Sequence, residues 1–150
     1  MKTFRIVPKI VEFQDTAEFC REFKIGKGDL VFLSRSNEKY FNGLFNGAYV
    51  IYRGDYGKGE PTDIMVEKIY QDIKDWDYKR VVAIGGGTII DVAKLLALKT
   101  FSPVTELFDK KIEAVKTREL VIVPTTCGTG SEVTNISILE LTARHTKLGL

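Results

Sequence analysis

Two stretches of the chain combine the residue types that could do chemistry. In the first, the apolar run Val81-Val82-Ala83-Ile84 passes into Gly85-Gly86-Gly87 and then into Thr88-Ile89-Ile90-Asp91, where apolar residues begin to recur at helical spacing. Glycine lets the backbone adopt positive φ and lets a ligand come close. The first N–H groups of a helix lack intrahelical partners and sit at the positive end of its dipole. Strand, glycines and helix in that order therefore have the composition of a phosphate cradle. The pattern is neither GxGxxG nor a Walker loop. A plainer reading stands beside it, in which Thr88 and Asp91 form a capping-box-like pair and the glycines only make a tight turn. Composition does not separate the two.

In the second stretch, Val121-Ile122-Val123 runs into Pro124-Thr125-Thr126-Cys127-Gly128-Thr129-Gly130-Ser131-Glu132. Its hydroxyls can donate to and accept from a ribose or a base. The alternative is a solvated loop in which Thr129 or Ser131 caps the next turn. Two such loops after two apolar runs outline a single crevice, because parallel α/β sheets bind ligands at the carboxyl ends of their strands. Cys127 lies in this N–H-rich loop, where a thiol could be activated. With no His or Lys close in sequence, it reads as a small filler.

The elements needed to position these loops alternate between strand and helix. Residues 4–13 read as an extended opening. Asp15 caps a helix through Phe23, with Phe19 and Phe23 on one face. Lys27-Gly28-Asp29 is a turn and Leu30–Leu33 a short strand. Residues 36–46 suggest a helix ending near Asn46-Gly47, followed by a strand over Tyr49–Tyr52 and a glycine-rich loop over Gly54–Pro61. Residues 62–76 form the clearest helix, started by Thr62, with Met65, Ile69, Ile73 and Trp76 at helical spacing. Val81–Ile84 and Leu120–Val123 are continuously apolar, as in strands buried on both faces. The helix between them, residues 88–99, turns Ile89, Val92, Ala93 and Leu96 to one side. Beyond Glu132 the pattern becomes an antiparallel hairpin around Ile136, Ile138 and Leu148, turning near Thr142–His145. The expected fold is thus α/β, a Rossmann-like parallel sheet with helices on both faces and a C-terminal β-hairpin.

The 150 residues are 44% hydrophobic and 28% charged, with a net charge of +2. That is enough apolar content for a sizeable core and too little charge to point to nucleic acid. No apolar stretch is long enough to span a membrane, and no signal-peptide core is expected in MKTFRIVPKI. Cys20 and Cys127 are the only cysteines and lie far apart, so a reducing, cytoplasmic setting is expected rather than a disulfide or zinc framework.

Gly85-Gly86-Gly87-Thr88-Ile89-Ile90-Asp91 followed by Pro124-Thr125-Thr126-Cys127-Gly128-Thr129-Gly130-Ser131-Glu132 resembles the signature pair of the iron-containing alcohol dehydrogenase family. Pro8-Lys9-Ile10-Val11-Glu12-Phe13 resembles that family's opening, with Gln14 where a glycine is usual. Phe23–Asp29, Tyr56–Pro61, Thr126-Cys127-Gly128 and Arg144–Lys147 look like the branch that interconverts 4-hydroxybutanoate and succinate semialdehyde. The resemblance covers essentially the whole chain. It implies a two-domain enzyme with an N-terminal NAD(P)-binding domain, here residues 1–150, and a helical domain beyond it. That second domain holds Fe²⁺ or Zn²⁺ through one Asp and three His, so no catalytic or metal-binding residue is expected in this chain, whose single histidine is His145.

By the same resemblance, Gly86, Gly87 and Thr88 hold the cofactor pyrophosphate. Asp91 lies by its phosphate or nicotinamide end. Thr125, Thr126, Thr129 and Ser131 meet the adenosine or nicotinamide side. Lys147 matches a hairpin lysine near the cofactor, or is simply an exposed lysine. Where the family carries an acid for the ribose 2′-hydroxyl, this chain has Arg35, which could accept a 2′-phosphate or be merely solvated. The partners implied are a small alcohol or aldehyde substrate and further copies of the chain, with neither nucleic acid nor membrane. An isolated first domain would expose the face that packs on the second and so self-associate. Two other readings stay open. One is a non-catalytic nucleotide-binding module, and the other is an iron-type alcohol dehydrogenase acting on a different small alcohol.

Overall fold

In the computed structural model, which describes residues 7–150, β1 (Asp29–Leu33), β2 (Tyr49–Tyr52), β3 (Arg80–Gly85) and β4 (Glu119–Pro124) form one parallel sheet in the order β2-β1-β3-β4. Leu33 lies opposite both Tyr52 and Ile84, and Gly85 opposite Pro124, so all four carboxyl ends reach the same edge. At the opposite edge the Arg80 guanidinium donates to the Asp29 carboxylate at 2.9 and 2.7 Å and to the Phe23 carbonyl at 2.9 Å. This pins the start of β3 to β1.

The central strands are apolar throughout because both of their faces are covered. Leu30, Phe32, Val81 and Ala83 face a core shared with Met65, Ile69, Val92 and Leu96. The alternate residues Val31, Leu33, Val82 and Ile84 face Phe19, Cys20, Ile25 and Phe41. The first core is supplied by α3 (Asp63–Ile73), α4 (Gly87–Leu96) and α5 (Val104–Phe108), and the second by α1 (Thr16–Glu22) and the segment after β1. The expected helices on both faces are present. So are the two expected caps: the Asp15 carboxylate accepts from the Glu18 N–H at 2.7 Å, and Thr62 Oγ1 from the Met65 N–H at 3.1 Å.

The helices end earlier than periodicity suggests. Phe23 is the C-cap of α1. Trp76 leaves α3 and stacks on Tyr49 with ring centroids 4.6 Å apart. Past α4, the Lys99 N–H turns to the Val115 carbonyl at 2.8 Å. The helix expected over 36–46 shrinks to α2 (Arg35–Glu38). Gly43, Asn46 and Gly47 sit at φ 73°, 45° and 82°, a left-handed conformation through which a right-handed helix cannot continue. The segment is instead a run of turns, in which Phe41 stacks on Phe45 at 5.7 Å. Helix α5 was not foreseen. Residues 7–13 contain no strand, and positions 4–6 of the expected opening lie outside the described residues.

Strand β4 departs from expectation. Leu120–Val123 are half-exposed rather than buried on both faces, because β4 is an edge of the sheet and, among the described residues, no strand pairs with its outer side. The hairpin is as expected: β5 (Ile138–Leu141) pairs antiparallel with β6 (Thr146–Gly149) around a tight turn closed by His145 at φ 48°. Leu139 and Leu141 are buried in the core of α3 and α4. Asp63 Oδ1 accepts from the Thr142 N–H at 3.1 Å and its hydroxyl at 2.9 Å. Arg144 grips Asp109 with two bonds at 2.7 and 2.8 Å.

Candidate nucleotide site

From β1 the chain crosses to β2 on one side, then returns to place β3 on the other. The strand order reverses between β1 and β3, which makes the edge above them the topological switch point where such sheets bind ligands. Four segments leave the sheet along this edge: Ser34-Arg35 after β1, Arg53–Asp55 after β2, Gly85–Gly87 after β3 and Thr125-Thr126 after β4. The last two are joined directly, the Thr125 N–H donating to the Gly85 carbonyl at 3.1 Å.

Each of the three glycines has a distinct steric reason. A Cβ on Gly85 would lie 2.4 Å from Ile89 Cδ1, so its absence lets α4 fold back onto the strand end. On Gly86 it would lie 2.7 Å from Thr126 Oγ1, and on Gly87 3.1 Å from Thr129 Cγ2. The glycines thus admit the second loop against the first. This is a requirement that the sequence, read for ligand approach, did not reveal. Helix α4 starts at Gly87 with Gly86 as its N-cap and no side-chain cap. Its first intrahelical bond of this kind is Ile90 N–H to the Gly86 carbonyl at 3.1 Å, and the N–H groups before it point out of the helix end. That end suits an anion, and a bare backbone edge between two glycines suits a pyrophosphate.

The capping-box alternative fails. Asp91 does not reach back to the start of α4. Its Oδ1 instead accepts from Lys94 Nζ and from Ser131 Oγ, both at 3.1 Å. Lys94 also donates to Thr134 Oγ1 at 3.2 Å and to the Ile136 carbonyl at 2.6 Å, while Ser137 Oγ donates to the Asp91 carbonyl at 2.7 Å. The Asp91 and Lys94 side chains are almost fully buried. Together they tie the segment leaving the second loop to α4. Lys94 was not singled out from sequence. The signal that could have found it is the acid-to-base spacing of three residues on one helix.

The other predicted residues are placed as follows. Thr126 and Thr129 meet the glycines, while Thr125 and Ser131 fasten the loop through the bonds already given. Residues 124–129 are exposed. Cys127 is among them, and Cys20 is buried, its thiol pushed up by desolvation. Lys147 pairs with Glu60. Arg35 donates from Nη2 to both Asp55 oxygens at 3.1 and 2.9 Å, with its guanidinium 4.0 Å from the centroid of the Tyr52 ring. The Tyr52 hydroxyl donates to Glu38, and this bond pushes the phenol up. Among the described residues no three His, Cys, Asp or Glu side chains gather as a metal site, and no helix is long and apolar enough to cross a membrane.

The family model for iron-containing alcohol dehydrogenase matches residues 8–150. The chain is 47% identical over 151 residues to 4-hydroxybutyrate dehydrogenase of Clostridium kluyveri, covering all of this chain and 41% of that protein. Among solved structures, an iron-containing alcohol dehydrogenase from Thermotoga maritima superposes with a TM-score of 0.69 at 26% identity, over 87% of this chain and 39% of that one. A sulfoacetaldehyde reductase from Bifidobacterium kashiwanohense, solved with NAD⁺, superposes with a TM-score of 0.71 at 22% identity, over 90% and 38%. The chain therefore spans about two fifths of the length of each of these relatives, and the last of them supports the fold alone.

Proposed function

This chain belongs to the iron-containing alcohol dehydrogenase family, and on that premise we propose that it is the N-terminal, cofactor-binding part of a longer NAD(P)-dependent alcohol dehydrogenase. One observation carries the reading. Both signature motifs meet at the switch-point edge, packed so closely that a Cβ on Gly86 or Gly87 would run into Thr126 or Thr129, beside an uncapped helix end. A dinucleotide laid across that edge would set its pyrophosphate on the N-terminus of α4, with Gly86, Gly87 and Thr88 against it. The hydroxyls of the second loop would face the sugar or base. The nicotinamide, when bound, accepts hydride from an alcohol. What these residues supply is orientation and electrostatics.

The substrate proposed is 4-hydroxybutanoate, giving succinate semialdehyde, on the strength of the 47% identity to a 4-hydroxybutyrate dehydrogenase. The residues that recognise its carboxylate, and the Asp and His ligands of a metal, are assigned to the part of such an enzyme that this chain does not span. Residues 1–150 are accordingly read as a domain without turnover of its own. The half-exposed β4 edge favours association with further chains. A clean monomer by sedimentation over a wide concentration range would count against that part of the reading.

The test is calorimetric titration of this chain with NADH. Binding is expected, and it should be lost in Gly87→Val, whose side chain would occupy the space of Thr129 and the phosphate edge. Equal binding by Gly87→Val would refute the cradle.

A further inference from the structure

The group at the end of the strand beside a switch point commonly reads the 2′ position of the adenosine ribose. An acid there accepts from the 2′-hydroxyl of NAD, whereas an Arg accommodates the 2′-phosphate of NADP. Here the residue in that place is Arg35, two positions beyond β1. The sequence leaves it as either a phosphate ligand or a solvated side chain. The structure gives it a partner. Its Nη2 is shared between both oxygens of Asp55, and its guanidinium carbon lies over the Tyr52 ring. Asp55 comes from the turn after β2, the strand that flanks β1 on the side away from β3.

Resting on the nucleotide reading above, we propose that Asp55 is the residue that selects NAD over NADP, by occupying Arg35 and presenting a carboxylate at the 2′ position. The neighbouring charges agree with this. Glu38 lies on the same patch, accepting from the Tyr52 hydroxyl, and Arg53 is turned away to the carbonyls of Gly57 and Gly59. A 2′-phosphate brought to Arg35 would meet the Asp55 carboxylate in the same contact, a like-charge approach that disfavours it. A 2′-hydroxyl can donate to Asp55, since each carboxylate oxygen has a lone pair to spare beyond its bond to Arg35. The Arg35 and Asp55 side chains are 62% and 49% exposed, so exchanging either leaves the core untouched.

Calorimetric titrations of the chain with NADH and NADPH, repeated on Asp55→Asn and Arg35→Ala, test the assignment. The unaltered chain should bind NADH tighter by about tenfold or more, the worth of one charged contact. Asp55→Asn frees Arg35 and should move the NADPH-to-NADH ratio at least about tenfold toward NADPH. Arg35→Ala should retain the preference for NADH. An unchanged ratio in Asp55→Asn, or a preference for NADPH in the unaltered chain, overturns the assignment while leaving the cradle standing. Binding of neither cofactor overturns the nucleotide reading, and this inference with it.

Discussion

The two glycine-rich loops leave neighbouring strands at the same edge, yet they are ordered by different means. The first is continuous with the core. Gly85 is buried beneath Ile89, Gly86 and Gly87 are half-buried, and the loop passes straight into α4, whose inward face is fully packed. The second is exposed from Pro124 to Thr129, and Gly128 and Gly130 take φ 102° and 67°. Its order comes from three outside holds: the Thr125 bond to Gly85, the glycine contacts of Thr126 and Thr129, and the Ser131–Asp91–Lys94 network. A rigid loop beside a tethered one is a workable division of labour at a binding edge. On the proposed reading, the first loop would fix where a phosphate sits, and the tethered loop would be drawn in around the rest.

The largest effect should come from cutting the tether. Lys94→Met keeps the aliphatic stem but leaves the buried Asp91 carboxylate with Ser131 alone, at a cost of about 3 kcal/mol in urea unfolding. Amide hydrogen exchange at residues 126–131 should rise by more than that of residues 85–88. Equal change in both loops would mean that the second is not held from outside. Next in size is Gly86→Ala, which drives a Cβ to 2.7 Å from Thr126 Oγ1 and should destabilise by about 2 kcal/mol. Adding Thr126→Ala removes the clash and should restore most of the loss, a coupling that separated loops would not show. Ser131→Ala removes one bond to a buried carboxylate and should cost about 1 kcal/mol by the same unfolding measurement.

How much of this was legible in the sequence follows from the range over which each signal acts. The caps at Asp15 and Thr62, the apolar runs of β1 and β3, and the hairpin turn near His145 depend on neighbours a few residues away, and all are found where the residues point. The two motifs are likewise local, so both loops could be picked out before any fold was known. What decides partnership acts across the chain. Asp55 holds Arg35 from 20 positions away, Lys94 reaches the Ile136 carbonyl 42 positions on, and Asp63 accepts from Thr142 across 79. No periodicity encodes these distances, which appear only when the strands are laid in order. The half-exposure of β4 is of the same kind. An apolar run states that a strand can be buried on both faces, not that it has a neighbour on both edges. The helix expected over 36–46 is cut short for a local reason instead, since Asn46 and Gly47 were read as an end signal when their left-handed conformations, with that of Gly43, break the segment beyond α2 into turns.

The smallest expected effect tests the exposed loop most directly. Cys127 stands in the middle of the tethered loop, exposed, whereas the Cys20 thiol is on the buried face of α1 and pushed up by desolvation. Thiolate is the reacting form, so burial and a raised pKa both protect Cys20. Iodoacetamide at pH 8 should therefore modify Cys127 in the folded chain and reach Cys20 only after unfolding, as peptide mass spectrometry would show. Cys127→Ser should shift stability by less than about 0.5 kcal/mol, the usual range for an exposed site without partners. A larger loss would mean that the second loop carries packing of its own and that the contrast with the first is overdrawn. Modification of Cys127 in the presence of NADH sharpens the comparison further. If the tethered loop closes over a bound dinucleotide, labelling at Cys127 slows while stability toward urea rises. If labelling is unaffected at saturating NADH, the rigid loop binds alone and the second loop's hydroxyls do not engage the cofactor.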